Sequence, residues 1–163
     1  MLFRSVNPVK QMTPQERGKR AEELFLSGYN CPQSVALAFA DLSGMDADEL
    51  AKTVSGFGGG ICRMREMCGA VSGMMFILGR LEGYSSPEDD AGKTALYTTG
   101  QQLIQKFAAN NGHDSYICAD ILGKPRGPEP PVPEARTEGY YQNRPCAQIV
   151  RAAAEVLSAY LGK

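Results

Sequence analysis

The stretch EMCGAVSGMMFILGRLE, residues 66–82, decides the fold of this chain. Its apolar residues do not keep to one face at helical spacing, which is typical of a helix that is covered on all sides. The uncharged part of the stretch, residues 67–79, is shorter than the roughly 20 residues that a transmembrane helix needs. The sequence therefore predicts a buried central helix rather than a membrane span.

Helical patterns precede and follow this central helix. Thr13 and Glu16 form a capping box with Pro14 at the first helical position, which predicts where the first helix begins. No segment alternates with a period of two for long enough to form a strand. The sequence therefore predicts an all-α fold, a helical bundle of about five longer helices plus short helices. The predicted helical segments are residues 14–28, 31–42, 46–53, 66–82, 86–110, 118–122 and 146–160.

The length and composition indicate one domain. The chain has 163 residues, of which 43% are apolar, and this is enough to bury a core of its own. We therefore expect a single domain over residues 1–163, with residues 1–12 as a loose N-terminal segment. Residues 123–145 contain six prolines without a regular period. This composition predicts an extended proline-rich loop before the last helix.

The charges of the chain are nearly balanced, with 17 Lys+Arg against 18 Asp+Glu and a net charge of -1. A protein that binds mainly phosphates carries a basic excess, so we expect no nucleic-acid partner. The first residues lack the apolar stretch of a secretory signal, and the other apolar runs are too short for a bilayer. We therefore expect a cytoplasmic protein without membrane insertion. The sequence leaves a homodimer open as its assembly.

The chain contains five cysteines and one histidine, His113. Any metal site must therefore consist mainly of sulfur, and the lack of a C-x-x-C-H motif argues against an attached c-type haem. Cys31, Cys68 and Cys146 fall in the first turn of a predicted helix, where free N–H groups and the helix dipole stabilise a thiolate. The alternative is that these thiols are small core residues, since free cysteine is often buried.

Two glycines follow Cys68 on the same face of the central helix. Gly69 and Gly73 remove side-chain bulk beside the sulfur, so the gap is predicted to expose Cys68 to a second cysteine or a cofactor. The alternative is a close helix crossing, for which Gly100 is a candidate partner. On the first interpretation, Cys68 is the most nucleophilic thiol, with a pKa below the free-cysteine value of about 8.5.

A glycine loop precedes Cys68. Gly58, Gly59 and Gly60 lack the G-K-[ST] of a phosphate-binding loop, but their N–H groups are candidates to donate to sulfur and so to tune a cluster or thiolate. A plain tight connection is the alternative. Cys62 lies in the same loop and is a candidate resolving thiol for Cys68, or an incidental residue.

The order of these features resembles a known family. Asn30-Cys31, the glycines 58–60, the run CGAVSG at 68–73, and the single cysteines Cys118 and Cys146 are similar to the redox-active protein family named for its C, GCAxxG, C, C pattern. The resemblance covers most of the chain, from about residue 28 to residue 154. This chain reads C-G-A where the family name has G-C-A, and Cys62 lies outside the pattern.

The resemblance implies a redox role for the four signature cysteines Cys31, Cys68, Cys118 and Cys146. Members resemble small bacterial proteins that are often encoded near transporter or oxidoreductase genes, which implies an electron-transfer or oxidoreductase partner. A related domain occurs in a split-Soret cytochrome that also carries an iron-sulfur centre. An iron-sulfur cluster held by these four cysteines is therefore one expectation, and this chain lacks the haem motif.

Three functional hypotheses follow for the four cysteines, which we expect to converge at the N-terminal end of the central helix. The first is a redox site that binds an iron-sulfur cluster or cycles between dithiol and disulfide. The second is a structural or metal-carrying zinc module with the same four ligands. The third is a plain helical interaction domain with buried thiols.

Overall fold

Nine α-helices, one short 3-10 helix (Ser55–Phe57) and no strands form the regular structure of residues 10–163, the part of the chain that the computed structural model describes. The predicted all-α fold is therefore confirmed. None of the helices in this range combines the length and the hydropathy that a membrane span requires. The helices are α1 (Pro14–Leu26), α2 (Cys31–Leu37), α3 (Ala40–Ser43), α4 (Ala47–Val54), α5 (Gly69–Glu82), α6 (Asp90–Asn110), α7 (Cys118–Leu122), α8 (Glu138–Asn143) and α9 (Cys146–Leu161).

The described chain begins just before α1. Residues 1–9 of the predicted loose segment, residues 1–12, lie outside the described residues. Residues 10–12 have no regular secondary structure. Thr13 then opens α1 with the predicted capping box: its hydroxyl accepts from the Glu16 N–H at 3.2 Å, and the Glu16 carboxylate accepts from the Thr13 N–H at 2.8 Å.

The predicted second helix, residues 31–42, is divided into α2 and α3. Phe39 interrupts it with a φ of -116°, outside the helical range. The buried Arg17 donates to the Ala38 carbonyl at 2.8 Å. In an uninterrupted helix the Ala38 carbonyl would accept from an N–H group of the next turn. Because Arg17 supplies a donor instead, the chain can bend here without leaving this carbonyl unpaired.

Helix α5 is the buried central helix that the sequence predicts. Every residue from Gly69 to Leu78 is buried or half-buried, and the helix becomes exposed only from Gly79 onward. It packs against α2, α6 and α9, whereas α1 packs along α9. Helix α2 contacts both α5 and the α1–α9 pair, so it joins the two parts of the bundle.

Helices α2 and α5 cross with their backbones close together. A Cβ atom added to Gly69 would lie 2.7 Å from Pro32 Cδ, and one added to Gly73 would lie 2.7 Å from the Pro32 carbonyl oxygen. The partner of this glycine face is therefore α2 rather than the region of Gly100. A Cβ on Gly100 would instead meet the Met75 sulfur of α5 at 3.2 Å.

The proline-rich segment 123–145 ends in a short helix, α8, which the sequence analysis did not predict. The Thr137 hydroxyl accepts from the Tyr140 N–H at 3.2 Å and so caps the start of this helix. Arg136, just before the cap, donates to the Phe25 carbonyl at 3.2 Å. These contacts fasten the segment to the end of α1, next to the start of α9.

A pair of glycine substitutions in α5 tests the crossing. Gly73→Ala is expected to lower the free energy of unfolding by about 1–3 kcal/mol, because its methyl group meets the Pro32 backbone. Gly79→Ala is the matched control, since nothing lies within 4 Å of its added Cβ. It is expected to raise the same free energy by roughly 0.5–1 kcal/mol. Urea denaturation measures both, and equal effects of the two changes would contradict the close crossing.

Candidate functional site

All five cysteines line one cavity of about 520 Å³. The cavity lies where the starts of four helices meet, and each of these starts carries one of the four signature cysteines. Cys62 is the fifth, and it lies in the loop before α5. Cys31, Cys118 and Cys146 are the first residues of α2, α7 and α9, and Cys68 is the residue just before α5.

A two-residue antiparallel bridge fixes Cys68 beside Cys118. The Cys68 N–H donates to the Tyr116 carbonyl at 2.9 Å, and the Cys118 N–H donates to the Glu66 carbonyl at 2.7 Å. These reciprocal bonds hold the starts of α5 and α7 side by side. The two thiols therefore approach the cavity from adjacent backbone positions, although they are far apart in the sequence.

Cys31 is placed by the cap of α2. The Asn30 side chain accepts from the Gln33 N–H at 3.1 Å, and its amide donates to the Ser55 carbonyl at 3.1 Å. On the other side, a Cβ added to Gly69 would lie 3.3 Å from Cys31 Cβ. The absent side chain of Gly69 therefore allows Cys31 to lie against the start of α5.

The glycine loop runs through an unusual left-handed segment. Residues 59–63 all have positive φ values, including 65° at Ile61, 46° at Cys62 and 65° at Arg63. For residues other than glycine this conformation costs roughly 1–2 kcal/mol each. Gly60 is required here for a second reason, because an added Cβ would lie 2.7 Å from Cys118 Cβ.

Ion pairs hold this strained loop against the proline-rich segment. Arg65 is almost fully buried; it donates to the Glu129 carboxylate at 2.5 Å and to the Cys118 sulfur at 3.5 Å. Arg63 donates to the same carboxylate at 3.0 Å and to the Pro130 carbonyl at 2.9 Å. The hydrogen bond from Arg65 lowers the pKa of Glu129 to about 2, so the carboxylate is charged at neutral pH.

Two further arginines of the proline-rich segment line the cavity. Arg144 pairs with Glu134, and its guanidinium lies 4.7 Å from the centre of the Tyr140 ring. Arg136 lies 4.5 Å and 4.8 Å from the centres of the Phe25 and Tyr140 rings. Sequence reasoning missed both residues as parts of the site; Arg144, two positions before Cys146, offered a local signal, whereas Arg136 offered none.

The thiols differ in how easily they ionise. The neighbouring Cys31 thiol is the main cause that lowers the pKa of Cys146, and the nearby Arg144 lowers it further against the effect of burial. Cys146 and burial together raise the pKa of Cys31 well above its ordinary value. Cys146 is therefore the thiol of this pair that ionises first.

The expectation that Cys68 is the most easily ionised thiol is wrong in this structure. Its side chain is only 4% exposed, and burial raises its pKa to about 12, although the backbone N–H groups of Ala70 and Val71 oppose the rise. Burial also raises the pKa of Cys118, and Arg65 opposes that rise. The desolvation of a charged sulfur outweighs the favourable position at a helix start.

The sequence-predicted glycines separate into two groups. Gly58, Gly59, Gly60 and Gly69 line the cavity, whereas Gly73 lies in the α2–α5 crossing. The N–H groups of Gly59 and Gly60 donate to no other described residue, sulfur included. They are therefore free donors in the cavity wall.

The cysteine side chains are not arranged as a formed metal site. Within residues 10–163, no group of three or more His, Cys, Asp or Glu side chains is placed to hold a metal ion. The five cysteines are free thiols, and Cys62 is the exposed one. They share a cavity without surrounding a common point, although four thiols are the donor set that a cluster or zinc takes.

The fold and the site define an all-α protein with a thiol-lined cavity at converging helix starts. Residues 29–160 match the family described as "Putative redox-active protein (C_GCAxxG_C_C)", and the chain belongs to this family. No curated protein and no solved structure matches the chain.

Alkylation kinetics test the order of thiol acidity. In the metal-free protein, the rate at which iodoacetamide modifies Cys146 is expected to reach half its maximum below about pH 8.5, the ordinary pKa of a cysteine thiol. Cys68 is expected to react only at much higher pH, because burial raises its pKa. Arg144→Gln removes a positive charge beside the thiolate and so raises the pKa of Cys146. The Cys146 rate at pH 7 then falls by up to about tenfold, which corresponds to one pKa unit.

Peptide mapping by mass spectrometry separates the five cysteines in this experiment. Arg126→Gln is the matched control, because Arg126 is 54% exposed, pairs with Glu66 and lies outside the cavity lining. It is expected to leave the Cys146 profile unchanged. Faster modification of Cys68 than of Cys146 at pH 7 would contradict the assignment.

Proposed function

We propose that this chain is a thiol-based redox protein in which Cys146 is the attacking thiolate and Cys31 the second thiol of a dithiol/disulfide cycle. The observation that supports this proposal is that Cys31 and Cys146, the first residues of α2 and α9, line the same cavity, where Cys31 and Arg144 lower the pKa of Cys146. A nucleophilic thiolate with a protonated thiol beside it is the pair that thiol–disulfide exchange requires.

The Cys146 thiolate attacks one sulfur of a disulfide substrate; the substrate S–S bond breaks, and one half leaves as a thiolate. Cys31 then loses its proton and attacks the Cys146 sulfur, which releases the second half. The protein loses two electrons and the substrate disulfide gains them, giving two substrate thiols and one protein disulfide.

The free thiols correspond to the reduced state of this cycle. We propose a cytoplasmic site of action, where an oxidoreductase partner would restore the dithiol after each cycle. Cys62 remains the candidate resolving thiol for Cys68. Its exposed thiol donates to the Gly56 carbonyl at 3.3 Å at the cavity edge, so it is accessible without any opening of the fold.

A four-cysteine metal centre is the second candidate function. It is favoured by the four helix starts that each bring one cysteine to the same cavity. The residues that would hold the metal are Cys31, Cys68, Cys118 and Cys146, and the free N–H groups of Gly59 and Gly60 would donate to its sulfur ligands. An iron-sulfur cluster would supply one-electron transfer, whereas zinc would be structural.

Disulfide mapping tests the dithiol proposal. Stoichiometric oxidation of the reduced protein with a small disulfide is expected to produce a bond between Cys31 and Cys146, detected by mass spectrometry without reduction. Cys146→Ser is expected to abolish this product. Cys62→Ser is the control that leaves it in place. A Cys62–Cys68 disulfide that forms in place of the Cys31–Cys146 bond in the wild-type protein would assign the cycle to that pair instead.

Metal analysis tests the second candidate. After purification without oxygen, the dithiol proposal predicts a colourless protein with less than about one tenth of an equivalent of iron or zinc, since a bound centre requires all four ligands at once. Iron with acid-labile sulfide and visible absorption would establish the cluster. Zinc in a one-to-one ratio that is lost in the Cys118→Ser protein would establish the zinc module.

A further inference from the structure

We propose that the substrate of this cavity is a small organic disulfide that carries negative charge, such as one bearing carboxylates. This inference rests on the proposed dithiol function and specifies its substrate class. It is argued from the size of the cavity, the burial of its thiols and the excess of positive charge around them.

The size and the burial favour a small molecule. A cavity of about 520 Å³ falls within the range of about 300–1,000 Å³ typical of small-molecule sites. Cys146 is only 8% exposed. The disulfide of a folded protein would have to bring its own backbone to this buried sulfur, which a small molecule need not do. A small disulfide can enter and bring its sulfur to Cys146.

The walls of the cavity suit an organic body. Aromatic and aliphatic side chains line part of the cavity, among them Phe25, Tyr140, Ile121 and Ile149. These surfaces can cover the carbon atoms that flank a disulfide. An inorganic oxyanion would leave the same apolar surfaces without a partner, so the walls favour a substrate that has both carbon and charge.

The charges of the cavity favour an anion. Four arginines line the cavity, and the carboxylates of Glu129 and Glu134 pair with three of them and with Lys124. The cavity therefore has an excess of positive charge, although the whole chain has a net charge of -1. Walls of low polarity strengthen such a field and attract ligands of opposite sign. The four lining arginines are Arg63, Arg65, Arg136 and Arg144.

Arg136 is the cation of this group that pairs with no carboxylate of the described residues. Its guanidinium donates to the carbonyls of Phe25 and Tyr29, at 3.2 Å and 3.1 Å. Neutral carbonyls orient the group without cancelling its charge. Cation–π contacts with the Phe25 and Tyr140 rings hold it in the cavity wall. Arg136 is therefore the residue that we assign to the substrate anion.

A series of three small disulfides tests the charge preference. The probes are dithiodiglycolate with two carboxylates, 2-hydroxyethyl disulfide with no charge, and cystamine with two ammonium groups. For each probe we divide the rate at which it oxidises the reduced protein by the rate at which it oxidises N-acetylcysteine amide, a neutral thiol. This ratio, the corrected rate, removes the difference in intrinsic reactivity between the probes. The corrected rate is expected to be about tenfold or more higher for dithiodiglycolate than for the neutral probe, and lowest for cystamine.

Variants of Arg136 connect this preference to the structure. Arg136→Gln is expected to reduce the ratio of the dithiodiglycolate rate to the neutral-probe rate at least threefold or so, and Arg136→Lys to restore most of it, since the charge returns. Arg126→Gln is the matched control and should keep the wild-type ratio, because Arg126 lies outside the cavity lining. Added salt should reduce the same ratio. Circular dichroism verifies the fold of each variant.

The outcomes separate the two proposals. Equal corrected rates for the three probes, or a faster reaction with cystamine, would overturn the anionic substrate while leaving the dithiol cycle intact. Faster oxidation by the disulfides of folded insulin than by dithiodiglycolate would overturn the small-molecule part. If none of the probes oxidised the protein while each reacted with the model thiol, the dithiol cycle itself would be overturned, and this inference with it.

Discussion

The close crossing of α2 and α5 is the constraint on which both the fold and the site depend. At Gly69 and Gly73 the backbone of the central helix approaches Pro32 so closely that no side chain fits between them. The residue before Pro32 is Cys31, and the residue before Gly69 is Cys68. The contact that packs the two helices therefore also brings the first two signature cysteines to the same place. A larger residue at Gly69 would separate the helices and open the cavity between these thiols.

The remaining side of the cavity is held by strain and charge together. The left-handed turn of residues 59–63 brings the chain past Cys118, and its cost is concentrated at the site, where strained backbone in proteins is often found. Arg65 and Glu129 offset that cost by tying the turn to the proline-rich segment. This segment is therefore a wall of the cavity, and its prolines keep that wall stiff although it contains only one short helix.

Local patterns in the sequence predict the elements, whereas the site depends on contacts between distant residues. The capping box of α1, the buried central helix and the helix-start positions of Cys31 and Cys146 follow from spacing alone. The ion pair of Arg65 with Glu129 spans 64 residues, and no local pattern encodes it. The same holds for the bend at Phe39, which depends on an arginine side chain from another helix. The pairing of the charges around the cavity was therefore beyond prediction from the sequence.

The ranking of the thiols shows why position in a helix is a poor guide to reactivity. Cys68 and Cys146 both lie at helix starts and are both buried, but Cys146 has Arg144 and the Cys31 thiol beside it. Once Cys146 is ionised, its charge raises the pKa of Cys31, Cys68 and Cys118. Several thiolates in one low-polarity cavity would repel each other, so the ionisation of one keeps the others protonated. The shared cavity therefore makes its cysteines unequal, which divides them into one nucleophile and several proton-bearing partners.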